Sequence, residues 1–169
     1  MDLKEITNFI TISAESLNIK KWDFGASYSK DFSVQVDKGL AKQLKASQKQ
    51  VLTLRVWNHK NLVGITTTSD LSEDGLKKAL YQANVASNYG NKNELTDFSP
   101  LAKEPIKEIK ETKRTPAGIK KLLNTLRIAE NKLLNKHAAI KTIPYNGLSE
   151  SFFKRIYANS DGAERSYEK

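Results

Sequence analysis

Cysteine is absent from this chain, methionine occurs once, and histidine only twice, at His59 and His137, far apart. Without thiols there is no disulfide, which fits a reducing compartment, and the expected location is cytoplasmic. A zinc site needs three or four N, S or O ligands converging on one point. Two separated histidines supply no recognisable set, so no metal is expected on this chain alone. Activated nucleophiles are missing too: Thr66, Thr67, Thr68 and Ser69 offer hydroxyls with no histidine base beside them in sequence. Gly25 and Gly64 lack phosphate-loop spacing. The sequence therefore names no catalytic residue, no cofactor-binding residue and no metal ligand. No apolar run approaches the roughly 20 residues that span a bilayer. The first residues also lack the basic and apolar regions of a signal peptide.

What is present concentrates in residues 51–87. Residues 51–57 alternate β-branched or aromatic side chains with polar ones, 58–61 have turn composition, and 62–68 resume extended character through Gly64. This pattern predicts a hairpin. Ser72 then precedes Glu73 and Asp74, so that a hydroxyl can accept from an orphan amide while two carboxylates meet the positive end of a helix. Leu76, Ala79, Leu80, Ala83 and Ala86 follow at helical spacing. A capped amphipathic helix is expected there, packed on the hairpin through Leu76, Leu80 and Ala83.

These residues resemble the N-terminal region of the TldD/PmbA family, known both as modulators of DNA gyrase and as a two-subunit bacterial protease system. The resemblance rests on Arg55-Val56, Gly64, the hydroxyl run 66–69, Asp70-Leu71-Ser72, Leu76 and the alanines at 79, 83 and 86. A second patch, Tyr157-Ala158-Asn159-Ser160-Asp161-Gly162, is similar to the family's asparagine-serine-x-glycine turn after a strand. What the resemblance implies about chemistry is mainly negative. TldD-type subunits carry zinc on a histidine-glutamate-three-residue-histidine helix well downstream of this region. Zinc is thus expected only in the C-terminal part of a TldD-type subunit, and the PmbA-like subunit, without that motif, is the preferred comparison. The resemblance further implies a dimer with a TldD/PmbA-type partner subunit, and an extended or unfolded peptide as substrate.

The rest of the chain reads as one α+β domain, an antiparallel sheet built from hairpins with about three packed helices. At 169 residues, 38% hydrophobic and 28% charged, the chain is long enough for a single core. A first helix is expected over 2–17, with Leu3, Ile6, Ile10, Ala14 and Leu17 on one face. Strands are expected at 22–28 and 32–37. Residues 40–50 suit either a helix, through Leu40 and Leu44, or the extended segment that the family comparison favours; the strand is adopted here. An irregular connection spans about 89–115. Thr115-Pro116 then opens a helix with a stripe of Ile119, Leu122, Leu123, Leu126, Ala129, Leu133 and Leu134. Residues 138–158 predict a second hairpin bent at 144–147. Trp22 and Trp57 read as core or interface aromatics, with Trp57, at a hairpin tip, the better candidate for exposure. Residues 164–169 show neither cap nor stop signal, and the family continues into a larger second domain. The chain is therefore expected to be an N-terminal piece of a longer protein.

Charge points elsewhere. Twenty-eight basic against nineteen acidic residues give +9 and a pI near 9.6, the electrostatic footprint of a nucleic-acid binder. The basic residues are dispersed, lysine dominates, and no recognition motif accompanies them, so nucleic acid is expected to bind only weakly and without sequence preference. Two functions compete. One is a non-catalytic domain of a proteolytic assembly, contributing to dimerisation and to the wall of a peptide-admitting chamber. The other is a basic module associated with nucleic acid.

Overall fold

A computed structural model describes residues 2–90, 98–105 and 116–169. Its architecture is α+β: helix α1 Leu3–Ser16, strands β1 Lys21–Asp37, β2 Leu40–Trp57 and β3 Val63–Thr68, helix α2 Glu73–Ser87, a 3-10 turn Pro100–Lys103, helix α3 Gly118–Leu134, and strands β4 Gly147–Asn159 and β5 Glu164–Glu168. The strands form one antiparallel sheet in the order β3-β2-β1-β4-β5. Consecutive hairpins account for β1–β2, β2–β3 and β4–β5. The chain divides into two compact units, Met1–Tyr28 with Lys49–Lys110 and Lys154–Glu168, and Ser29–Gln48 with Glu111–Phe153 and Lys169. Three strands, β1, β2 and β4, run from one unit into the other.

In the first unit the predicted local signals are in place. Asp2 caps α1 by accepting from the Lys4 amide at 3.0 Å, and Ser72 caps α2 by accepting from the Gly75 amide at 3.2 Å. Ile6, Ile10 and Ala14 of α1 and Leu76, Leu80 and Ala83 of α2 bury against Trp22, Phe24, Leu52, Leu54, Val56, Ile156 and Ala158 of the sheet. The β2–β3 register pairs Leu54 with Thr66 and Val56 with Gly64. A Cβ on Gly64 would intrude on the backbone of Ala83 and Ser87, so glycine sets how closely β3 and α2 approach. Asn58 fixes the same corner. Its Oδ1 accepts from the amides of Lys60 at 2.9 Å and Leu62 at 3.1 Å, while its Nδ2 donates to the Ser87 carbonyl at 3.0 Å.

The second unit has its own small core, in which Val34 and Val36 of β1 pack with Leu122 and Leu126 of α3, bordered by Phe32, Ile119, Leu123 and Leu148. The β1–β2 turn takes positive φ at Lys38 (50°) and Gly39 (75°), the conformation that a tight two-residue hairpin needs. Glu130 of α3 is buried and holds that turn, accepting from the amides of Lys38 at 3.1 Å and Gly39 at 2.6 Å. Glu150 of β4 does the same at the other end of the helix, accepting from the amides of Ala117 at 2.8 Å and Gly118 at 3.2 Å.

Several expectations change. The strands expected at 22–28 and 32–37 are one strand, and 40–50 continues unbroken into 51–57. The hairpin expected over 138–158 does not form. Residues 138–143 form no strand: the Ile140 amide donates to the His137 carbonyl at 3.0 Å in a turn, and Pro144 interrupts the approach to β4 with a residue that has no amide to give a ladder. The hairpin of β4 is made with β5, in the segment read as having neither cap nor stop signal. Helix α3 starts at Gly118, its leading amides held by Glu150 rather than by an adjacent cap; Thr115 lies outside the described residues. Ala129 and Leu133 point outward, and Glu130 occupies the stripe between Leu126 and Leu134. The connection at 89–115 lies mostly outside the described residues, apart from 89–90 and 98–105.

Candidate functional site

Side chains alternate across a strand, so the positions between the core residues of the first unit face away from α1 and α2. They are Lys21 and Asp23 on β1, Thr53, Arg55 and Trp57 on β2, Arg155, Tyr157 and Asn159 on β4, with Ile65 and Arg165 opposite them on β3 and β5. This face holds a connected polar cluster. Asp23 is a carboxylate 2% exposed, and Arg55, 44% exposed, grips it as a fork, Nε donating to Oδ1 at 2.8 Å and Nη2 to Oδ2. The Tyr157 hydroxyl donates to the same Oδ2 at 3.3 Å and accepts from Asn159 Nδ2 at 3.4 Å. Two charge-assisted bonds and a phenol satisfy a charge that burial alone would make costly.

Aromatic rings extend the cluster. Trp57 is 6% exposed and meets Phe98 edge-on at 5.6 Å between centroids. The Arg55 guanidinium lies 5.2 Å from the Trp57 centroid, and Lys21 Nζ lies 5.4 Å from Trp57 and 5.1 Å from Phe98. Both tryptophans are core aromatics, Trp22 at 4% exposed; Phe98, brought in from the connection, and two cations cover Trp57. Its indole N–H is buried and has no hydrogen-bond partner among the described residues.

The electrostatics follow from this geometry. Hydrogen bonding to Asp23 raises the Arg55 pKa above its ordinary value, against the cost of its own burial. Tyr157 is raised mainly by burial, and further by the negative charge of Asp23. A phenol held neutral beside a permanently paired carboxylate donates a hydrogen bond. The cluster can orient and hold a partner group, but it pairs no nucleophile with a base.

His59 and His137 each stand in an exposed turn, and the His137 Nδ1 accepts from the Ala139 amide at 3.1 Å. Among the described residues no three of histidine, cysteine, aspartate and glutamate gather closely enough to fit zinc. The Asn159–Gly162 segment is a turn held by its own residues: Asn159 Oδ1 accepts from the amides of Asp161 at 3.1 Å and Ala163 at 2.9 Å, and Gly162 takes φ 85°. The Thr53 and Thr67 hydroxyls bond each other at 3.2 Å across the strands. Sequence reading missed Asp23, Phe98 and Glu130. Asp23 was signalled by an acid between Trp22 and Phe24, and its partner by the lone cation of residues 51–57; Phe98 carried no local signal.

No family model matches the chain, and no curated protein matches it. Solved structures do. A proposed modulator of DNA gyrase from Bacteroides thetaiotaomicron superposes with a TM-score of 0.69 over 98% of this chain at 14% identity. One from Thermotoga maritima gives 0.64 over 99% at 12% identity, and TldE from Thermococcus kodakarensis gives 0.61 over 99% at 14% identity. The chain has the fold shared by TldE and these gyrase-modulator structures. It spans 37–38% of their length. No helix among the described residues is long and apolar enough to cross a membrane.

Proposed function

We propose that this chain is an N-terminal domain of the TldD/PmbA type, acting without catalysis of its own in a proteolytic assembly: it joins a TldD/PmbA-type partner subunit and helps to wall a chamber that admits extended or unfolded peptide. The observation that carries the reading is the superposition of nearly the whole chain on part of TldE and of two gyrase-modulator structures. The Arg55–Asp23–Tyr157 cluster suits this role, since it offers an oriented, partly exposed cation without an activated nucleophile. The chemistry is assigned to the partner, and the compartment to the cytoplasm.

Mixing the chain with a TldD-type subunit and measuring mass by light scattering tests the reading. A stable complex larger than either component is expected; two separate peaks at all concentrations overturn it. The purified, untagged chain should also cleave no peptide and hold no stoichiometric zinc, and one tightly held zinc per chain in metal analysis would contradict that assignment.

A second reading, a basic nucleic-acid module, draws on one further observation. Residues 29–48 and 116–153, the described part of the second unit apart from Lys169, carry ten lysines and arginines against four acids. Lysine supplies nine of those ten, however, and lysine lacks the planar fork that pairs with base edges.

A further inference from the structure

Within the sheet β2 lies between β1 and β3, and β3 pairs only with residues 52–57. Over residues 40–48 the far edge of β2 therefore has no strand beside it among the described residues, and every side chain there is exposed. An unpaired edge of this length offers a row of backbone donors and acceptors to any extended chain that reaches it. Its side chains are selective. No aspartate or glutamate occurs between Lys38 and Ser69, so the strand is uniformly cationic wherever it is charged. By the two-residue period, Leu40, Lys42 and Leu44 share one face, and the two leucines are 71% and 51% exposed.

We propose that this edge of β2 takes an extended acidic peptide as an added strand, reading an apolar, acidic, apolar order at alternate positions opposite Leu40, Lys42 and Leu44. Backbone bonds supply the attachment, and the alternating side chains supply the selection. Because the leucine-lysine-leucine order is symmetric, the same pattern is read in either strand direction. The lysines also decide against the competing occupants. A second copy of this edge would bring lysine toward lysine, which cross-strand pairing disfavours. A phosphate backbone would gain from Lys42 and Lys45 but nothing from two exposed leucines, and the strand holds no arginine fork between residues 40 and 48. The inference rests on the peptide-admitting reading above and specifies the peptide.

The test uses the whole chain and a fluorescent peptide, Ac-Thr-Val-Thr-Glu-Thr-Val-Thr-amide, followed by anisotropy at low ionic strength. Saturable binding is expected, weakened about tenfold by K42E as an attractive cross-strand pair becomes a repulsive one. Replacing the peptide's glutamate with lysine should restore binding to K42E. A peptide of the same side chains with alternate amides N-methylated on the pairing edge should not bind, since it keeps the charge and loses the ladder. Absence of binding would leave the lysines as guards against self-pairing and overturn the proposal. So would equal binding of the N-methylated peptide, tighter binding of single-stranded DNA lost in K42E, or dimerisation of the chain through this edge. A chain that joins its partner subunit but ignores the peptide overturns the edge proposal alone; a chain that binds the peptide but never joins a partner overturns the assembly reading alone.

Discussion

Asp23 is the residue on which the open face of the first unit depends. A carboxylate 2% exposed is tolerated because Arg55 and Tyr157 satisfy it, so removing the fork should strand a buried charge. Arg55→Ala is expected to cost about 3 kcal/mol, the low end for a broken buried pair because Arg55 is itself partly solvated. Arg55→Lys should recover part of this loss, keeping the charge without the planar fork. Urea melts measure both, and an Arg55→Ala loss no larger than that of an ordinary surface substitution would show that solvent reaches Asp23. Tyr157 gives the pH dependence. Its pKa is raised on folding, so the folded state holds the proton more tightly; that stabilisation is present below the unfolded tyrosine value near 10 and is lost as pH rises through the folded value. Tyr157→Phe should flatten the fall of the urea midpoint above about pH 10. An identical alkaline slope in both proteins would refute the assignment. The pair was half legible in sequence: an acid and a base each interrupt an apolar strand, but alternation says only that they leave the core, not that two strands bring them together.

Elements were readable where their determinants are local. Helices α1 and α2 carry their caps and stripes within one stretch of chain, and the hairpin at 51–68 carries its own turn, so all three stand where the pattern puts them. The α2 face can be tested by contrast. Leu80 is fully buried between the helix and the sheet, and Leu80→Ala should cost about 2 to 5 kcal/mol through lost contacts and the cavity left behind. Lys77 points to solvent, and Lys77→Ala should change stability by no more than roughly 0.5 kcal/mol. Equal losses in denaturant melts would mean that the buried face is wrong. The misread elements have other determinants. Ile140 and Ile143 have strand character, yet they stand in turn and irregular backbone before Pro144, and β4 takes its hairpin partner from the residues that follow it. Glu130 sits where a stripe calls for leucine because its partners are two turn amides 91 and 92 residues earlier. No window of sequence contains both sides of the Glu130 interaction.

At the scale of the whole molecule, charge and fold point to different partners, and salt dependence separates them. The formal charge is +9, and residues 29–48 and 116–153, with ten basic and four acidic side chains, contribute +6 of it. Two of those four acids, Glu130 and Glu150, accept hydrogen bonds from backbone amides at the ends of α3, and Glu130 is buried there, whereas the described lysines of these segments are exposed. Such a surface must attract a polyanion at low ionic strength, because each lysine that replaces a condensed counterion on a phosphate releases it to solution. Attraction of this kind carries no sequence information, which requires donors and acceptors set against base edges. Duplex and single-stranded DNA should therefore bind the chain at low salt with similar affinity for every sequence. Affinity should fall steeply and linearly on logarithmic axes as salt rises, leaving binding weaker than about micromolar under physiological conditions, in the range of non-specific association. Anisotropy titrations of several sequences across a salt series measure this. Submicromolar binding at physiological salt that distinguishes one sequence from another would reverse the order of the two readings, making nucleic acid the partner and the TldE-like fold a scaffold used for a different purpose.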